Sequence, residues 1–97
     1  MSCPPSRGEY RGLHVAAVQA RAELVEWEPS LPRTNRVRVR RHTCVCESPI
    51  YELCAAAGLG FVRRIIGDTP TSADESAWLS FRAAEDLWWR ILRGKAR

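Results

Sequence analysis

The sequence predicts a single α+β domain in which a three-stranded antiparallel β-meander packs against a C-terminal helix, with another helix before the sheet. Three observations predict this class: period-two alternation over residues 36–46, two further short apolar runs, and a helical apolar stripe near the C-terminus. A chain of 97 residues supplies one hydrophobic core rather than two. We expect residues 13–97 to form the domain, and residues 1–12, which contain two prolines and two glycines, to form a mobile tail.

The first predicted element is a helix over residues 13–27. Its apolar side chains fall at helical spacing along one stripe, which comprises Leu13, Ala17, Ala20, Leu24 and Trp27. Pro29 and Pro32 end the pattern. The segment AELVEWE within this range is, taken alone, also compatible with a strand.

Three strands are predicted next. Residues 36–46 alternate with period two and are rich in Val and Thr, and the turn residues ESP separate them from a second run over residues 50–56. GLG at residues 58–60 then leads into a third run over residues 61–66, which GDTP ends. Short connections between consecutive strands predict an antiparallel meander.

The register of the first two strands decides which side chains share a face, because successive side chains of a strand point to opposite faces. We expect Cys46 to lie opposite Ile50, since this register buries Tyr51 and Leu53 beside the valines. The core face then carries Val37, Val39, Thr43 and Val45. The other face carries Arg36, Arg38, Arg40, His42, Cys44 and Cys46, together with Glu52 and Cys54. A loop shorter by one residue would instead turn Cys54 into the core.

The last predicted element is a helix that begins after Ser80, a good N-capping residue, and ends at Gly94. One apolar stripe runs along it, formed by Phe81, Ala84, Leu87, Trp88, Ile91 and Leu92. Trp88 belongs to the stripe and Trp89 does not. We therefore interpret Trp89, with Trp78, as a candidate contact for a protein partner, although partial burial is also compatible with its position.

Positive charge is concentrated in the middle of the chain. The net charge is +4, and residues 33–66 contain seven arginines against two glutamates. This asymmetry predicts an anionic partner, most simply nucleic acid. The candidate nucleic-acid-binding residues are Arg36, Arg38, Arg40, Arg41, Arg63 and Arg64. The alternative is that alternating arginines keep an exposed sheet face soluble and discourage edge pairing.

A histidine and three cysteines in and after the first strand form a donor set that zinc accepts, namely His42, Cys44, Cys46 and Cys54. The spacing lacks the usual C-x₂-C turn, and alternate residues of a strand are about 6.5 to 7 Å apart. A site that uses the three cysteines with a donor from the loop or another chain is therefore favoured over one that uses all four residues. His14 is interpreted as a solvated helix residue, and Cys3 is left out of the site.

Two other interpretations of these thiols remain open. Buried cysteines commonly act as small apolar side chains that fill a core. A reversible redox pair between Cys54 and either Cys44 or Cys46 is the other alternative. Accordingly, we expect either no cofactor or one zinc ion.

The sequence favours a small, non-enzymatic binding protein, because no acid, base and nucleophile set appears at a recognisable spacing. The leading hypothesis is a basic sheet face that binds nucleic acid. The alternative is a protein-interaction module with a zinc-stabilised Cys-rich hairpin. No apolar run predicts a membrane span and no signal peptide is recognisable, so we expect a cytoplasmic protein; a homo-oligomer is compatible with these features.

The stretch HTCVCESPIYELCAAAGLGFVRR and the ending LWWRILRGKAR resemble a group of small, uncharacterised actinobacterial proteins. The resemblance covers residues 36–97 and rests on Tyr51, Cys54, Phe61, Arg63 and Arg64, together with the Leu-Trp helix at the end. It implies no activity, so no functional role is transferred from it.

Overall fold

The computed structural model describes residues 14–30, 36–44, 46, 48–66 and 73–97. These residues form one antiparallel sheet of six strands and one helix, which confirms the α+β class. The strands are β1 (Glu28–Pro29), β2 (Arg38–His42), β3 (Ile50–Ala56), β4 (Leu59–Ile65), β5 (Ala73–Glu75) and β6 (Leu79–Ser80), and the helix is α1 (Phe81–Leu92). The predicted tail lies outside the described residues. Within them, no helix has the length and apolar character needed to cross a membrane.

The predicted meander corresponds to β2, β3 and β4, which pair in sequence order. Across the sheet the order is β1-β5-β4-β3-β2, and β6 pairs with β4 near the start of that strand. Ala57 and Gly58 form the β3–β4 turn with φ angles of 52° and 78°, as tight hairpin turns require. The three strands that the sequence does not predict, β1, β5 and β6, are two or three residues long. They are too short to show a recognisable alternation of apolar and polar residues.

The main core lies between one face of the sheet and α1. It joins Tyr51, Leu53 and Val62 of the sheet to Ala84, Leu87, Trp88, Ile91 and Leu92 of the helix. The predicted helix boundaries are confirmed, because the Ser80 hydroxyl accepts a hydrogen bond from the Ala83 amide at 3.2 Å and Gly94 follows the helix with a φ of 74°. This helix therefore begins with a side-chain cap and ends at a glycine.

A smaller cluster covers the opposite face of the sheet. Cys54, Ala56 and Phe61 are buried there, and Val37 and Trp78 pack against them. The Trp78 ring stacks on the Phe61 ring with 4.7 Å between centroids. Trp78 thus contacts the interior of its own chain, and the central strands are covered on both faces.

A β-bulge in β2 changes the predicted distribution of side chains. Val39 pairs with Cys54 and Arg41 pairs with Leu53, so Arg40 is the extra residue between the two pairs. One extra residue shifts the alternation of side chains along the strand. Side chains before the bulge therefore point to the face opposite to the one that an unbroken alternation would give them. Val39, like Val37, therefore lies on the Cys54 side of the sheet rather than beside Leu53, and that part of the prediction is wrong.

The bulge also reverses the predicted position of the arginines. Arg38 pairs with Ala55 and Arg41 with Leu53, so both lie on the face that α1 covers and not on the face away from it. Beyond the bulge the predicted faces hold, since His42 pairs with Glu52. The predicted register does not, because Cys46 opposite Ile50 would place His42 opposite Cys54, two residues away. Thr43 is buried beside Tyr51, and its hydroxyl accepts a hydrogen bond from the Tyr51 amide at 2.9 Å.

The described part of the predicted N-terminal helix is not helical and contains a single turn, in which the Ala22 amide donates to the Gln19 carbonyl at 3.1 Å. Its backbone runs beside the C-terminal end of the chain, where the Ala16 amide donates to the Leu92 carbonyl and the Gln19 amide to the Gly94 carbonyl, both at 2.8 Å. Glu23 and Ala96 then form a parallel bridge. The helix prediction is wrong because partners elsewhere in the chain satisfy the amides that a helix would have paired internally.

Candidate functional site

Three side chains with metal-binding atoms meet where the N-terminal segment, residues 14–27, passes the connection between β2 and β3. The donor atoms of His14, Cys44 and Cys46 all lie within 4.8 Å of one another. The Cys46 sulfur lies 3.5 Å from His14 Nε2. This group of three, which we call the His-Cys-Cys group, is able to hold a metal ion.

Backbone pairing brings these residues together. The Ala16 amide bonds to the end of α1, which fixes the chain two residues after His14. Thr43 exchanges hydrogen bonds with Tyr51, since its amide donates to the Tyr51 carbonyl at 2.9 Å and its hydroxyl accepts from the Tyr51 amide. This double anchor positions Cys44, which is buried, while Cys46 and His14 are exposed.

The spacing of the donors is close to that of a tetrahedral site. Zinc bonds of about 2.0 to 2.3 Å place neighbouring ligand atoms about 3.5 to 3.8 Å apart. The distance between Cys46 and His14 already equals this separation. The widest distance in the group is no more than 4.8 Å, so ligation needs a contraction of only about 1 Å.

The oxidation state of Cys44 determines whether this group is a ligand set. Cys44 is disulfide-bonded, and its partner is not among the described cysteines, because Cys46 and Cys54 carry no disulfide. A cysteine binds zinc as the thiolate. The His-Cys-Cys group is thus available to a metal when Cys44 is reduced. Cys3, the remaining cysteine of the sequence, lies outside the described residues.

The structure brings together two of the four sequence-predicted metal ligands. His42 is not part of the group, and its Nδ1 lies 2.9 Å from the Thr43 carbonyl oxygen. Cys54 lies in the small cluster on the other face of the sheet. Burial raises the pKa of its thiol from 9.0 to about 12, although the nearby Arg63 guanidinium opposes the shift. Cys54 is therefore a neutral core side chain.

The six predicted anion-binding arginines fall into two sets. Arg63 pairs with Glu52 at 3.2 Å and Arg64 with Asp74 at 3.0 Å, so carboxylates of the same sheet already balance both charges. The other four belong to β2 or the residues before it and are exposed: Arg36, Arg38, Arg40 and Arg41. Among the described residues, no carboxylate forms an ion pair with any of the three that lie within β2.

Two of the β2 arginines reach over aromatic rings of α1. The Arg40 guanidinium carbon is 5.9 Å from the centroid of the Phe81 ring, and that of Arg41 is 5.8 Å from the centroid of the Trp89 ring. Both distances lie within the range of a cation–π interaction. We call these four residues the arginine–aromatic seam. Trp89 is 36% exposed and forms the outer end of the seam.

An open pocket of about 230 Å³ adjoins the Phe81 end of this seam. Arg40, Ala55, Gly58, Leu59 and Phe81 line it. It is smaller than the roughly 300 to 1,000 Å³ of a typical ligand pocket. A single planar ring fits such a volume better than a whole metabolite does.

Comparison with protein-family models, with curated proteins and with solved structures finds no significant similarity to this chain. What the His-Cys-Cys group and the arginines of β2 do is therefore inferred from their own geometry and charge.

Proposed function

We propose that this protein is a small, non-enzymatic binding module in which a zinc ion held by His14, Cys44 and Cys46 joins the N-terminal segment to the β2–β3 connection. The observation that carries the proposal is the convergence of one imidazole and two sulfur atoms from distant parts of the chain. Such a donor set suits zinc, which takes cysteine sulfur and histidine nitrogen in tetrahedral sites. Three protein donors leave one position for a water molecule or a further ligand.

The proposed ion also has a structural task. Zinc that binds only the folded chain adds its binding free energy to the free energy of folding. The N-terminal segment has no helix of its own and is held by backbone bonds to the last residues of the chain. A metal bond through His14 fixes this segment at its other end.

Native mass spectrometry of protein purified with a reductant and without a histidine tag tests the proposal. We expect one zinc per chain, which a chelator removes. His14→Ala and Cys46→Ala should lose the ion. The matched controls are His42→Ala and Cys54→Ala, which remove the same donor types outside the His-Cys-Cys group and should keep it. Retention of zinc in His14→Ala, or absence of zinc from the reduced protein, would overturn the proposal.

The second candidate function, binding of nucleic acid along β2, is favoured by a different observation. Among the described strands, β2 lies at one edge of the sheet, and its three arginines are exposed and without a described carboxylate partner. Exposed arginines that no carboxylate neutralises attract phosphates, and their binding releases the counterions of the nucleic acid. Arg63 and Arg64 are removed from the predicted set, because their carboxylate partners already neutralise them.

Fluorescence anisotropy with a labelled oligonucleotide tests this second candidate. Affinity should fall steeply as salt rises and should fall further in the double variant Arg38→Ala, Arg40→Ala. The double variant Arg82→Ala, Arg93→Ala makes the same change in net charge at exposed positions outside β2, and it should bind nearly as the parent does. Equal losses in the two variants would show that net charge alone is responsible and would exclude a site on β2.

A further inference from the structure

We propose that the arginine–aromatic seam makes β2 a site for single-stranded nucleic acid, with bases stacked on exposed Trp89 and half-buried Phe81 and phosphates bound by the arginines. This inference rests on the second candidate function and specifies its ligand. Surfaces that bind single strands combine arginines that follow the backbone with aromatic rings on which bases stack. The seam contains both kinds of group.

The bulge in β2 is what assembles the seam. In a regular strand Arg40 and Arg41 would point to opposite faces of the sheet. Because Arg40 is the extra residue of the bulge, both consecutive guanidinium groups reach α1. Phe81 and Trp89 are eight residues apart, which separates their backbone positions by about 12 Å along the helix axis. The seam is therefore long enough to contact more than one nucleotide.

Both faces of the sheet are packed against other parts of the chain, which favours single-stranded nucleic acid over a duplex as the ligand. A β-structure that reads duplex DNA inserts a two-stranded ribbon into the major groove. Here α1 covers one face of β3 and the cluster around Phe61 covers the other, so β2 and β3 do not form an exposed ribbon. Base faces, which the seam would contact, are hidden inside a duplex.

The edge of β2 is also poorly suited to an added peptide strand. A bulge and exposed charged side chains are the features by which edge strands resist pairing with another chain. The pocket beside Arg40 and Phe81, at about 230 Å³, offers room for a planar ring at one end of the seam. These features favour an unpaired base over an extended peptide backbone.

Anisotropy titrations with a single strand and with the duplex of the same sequence test the inference. We expect tighter binding of the single strand, and Trp89→Ala should weaken that binding about 5- to 150-fold with little effect on the duplex. Trp89→Phe should restore most of the affinity. Val39→Ala, an exposed apolar residue on the other face of the same strand, should change neither titration. In the triple variant Arg38→Ala, Arg40→Ala, Arg41→Ala, the logarithmic salt slope should shrink by about 2.

The possible outcomes separate this inference from the function on which it rests. Equal affinity for both forms, with no effect of Trp89→Ala, would overturn the single-strand assignment and leave nucleic-acid binding standing. No binding to either form at low salt would overturn both. If an acidic peptide competed better than the single strand, the site would belong to a protein partner and the inference would be wrong.

Discussion

Replacing Gly94 by alanine should destabilise the protein in two separable ways. Gly94 has a φ of 74°, and a residue with a Cβ pays about 1 to 2 kcal/mol in this left-handed region. An added Cβ would also overlap the backbone carbonyl of Ala17, so the N-terminal segment must move. Displacing that segment breaks its bonds to the Leu92 and Gly94 carbonyls, at about 0.5 to 1.5 kcal/mol each. The total is about 2 to 5 kcal/mol.

Gly58→Ala is the matched control for this variant. Gly58 has a similar φ of 78°, but a Cβ there would meet nothing within 4 Å. Its cost should therefore be the backbone term alone, about 1 to 2 kcal/mol. Urea denaturation with comparison of midpoints measures both values. A difference smaller than about 0.5 kcal/mol between the two variants would refute the packing of the N-terminal segment against Gly94.

Three further predictions concern the cap, the buried thiol and the small cluster. Ser80→Ala should cost about 1 kcal/mol in urea denaturation, because the Ala83 amide loses its acceptor; an unchanged midpoint would argue against the cap. For Cys54, whose folded pKa of about 12 exceeds the ordinary 9.0, the unfolded thiol ionises first. The contribution of the buried neutral thiol to the free energy of unfolding is thus complete below pH 9.0 and is lost as pH rises toward 12. The stability advantage of the parent over Cys54→Ala should shrink across that range under reducing conditions, and a constant difference would contradict the burial. Trp78→Phe should cost roughly 1 to 3 kcal/mol, because Glu75 Oε1 loses the Trp78 Nε1 donor; a neutral substitution would mean that this bond contributes nothing.

The parts of the fold that sequence patterns predict are those whose partners are close in sequence. The helix α1 shows a long apolar period with a capping serine before it and a glycine after it, and β3 was predicted over the range at which it occurs. The N-terminal segment shows the opposite case. Its helical stripe contains Leu24, which is 71% exposed, while Val25, which lies off the stripe, packs against the core. Backbone partners at the far end of the chain decide its conformation, and no local pattern reports them.

The candidate site was predictable in part for the same reason. Cys44 and Cys46 stood out because they lie close together in a strand pattern. His14 carries no signal of its own, since its approach to Cys46 depends on the docking of the N-terminal segment beside α1. The bulge at Arg40 was not predicted either, although the alternation of arginine and valine breaks there, at the consecutive Arg40 and Arg41. The one extra residue exchanges the faces of Arg38 and Val39.

The most direct test of the proposed function is the zinc content of the reduced, untagged protein together with that of its His14→Ala and His42→Ala variants. The two histidines are chemically equal, and only one belongs to the His-Cys-Cys group. We predict one zinc per chain in the parent and in His42→Ala, and none in His14→Ala. Zinc that is lost with His42 and kept without His14, or a parent protein that binds no zinc when reduced, would contradict the account.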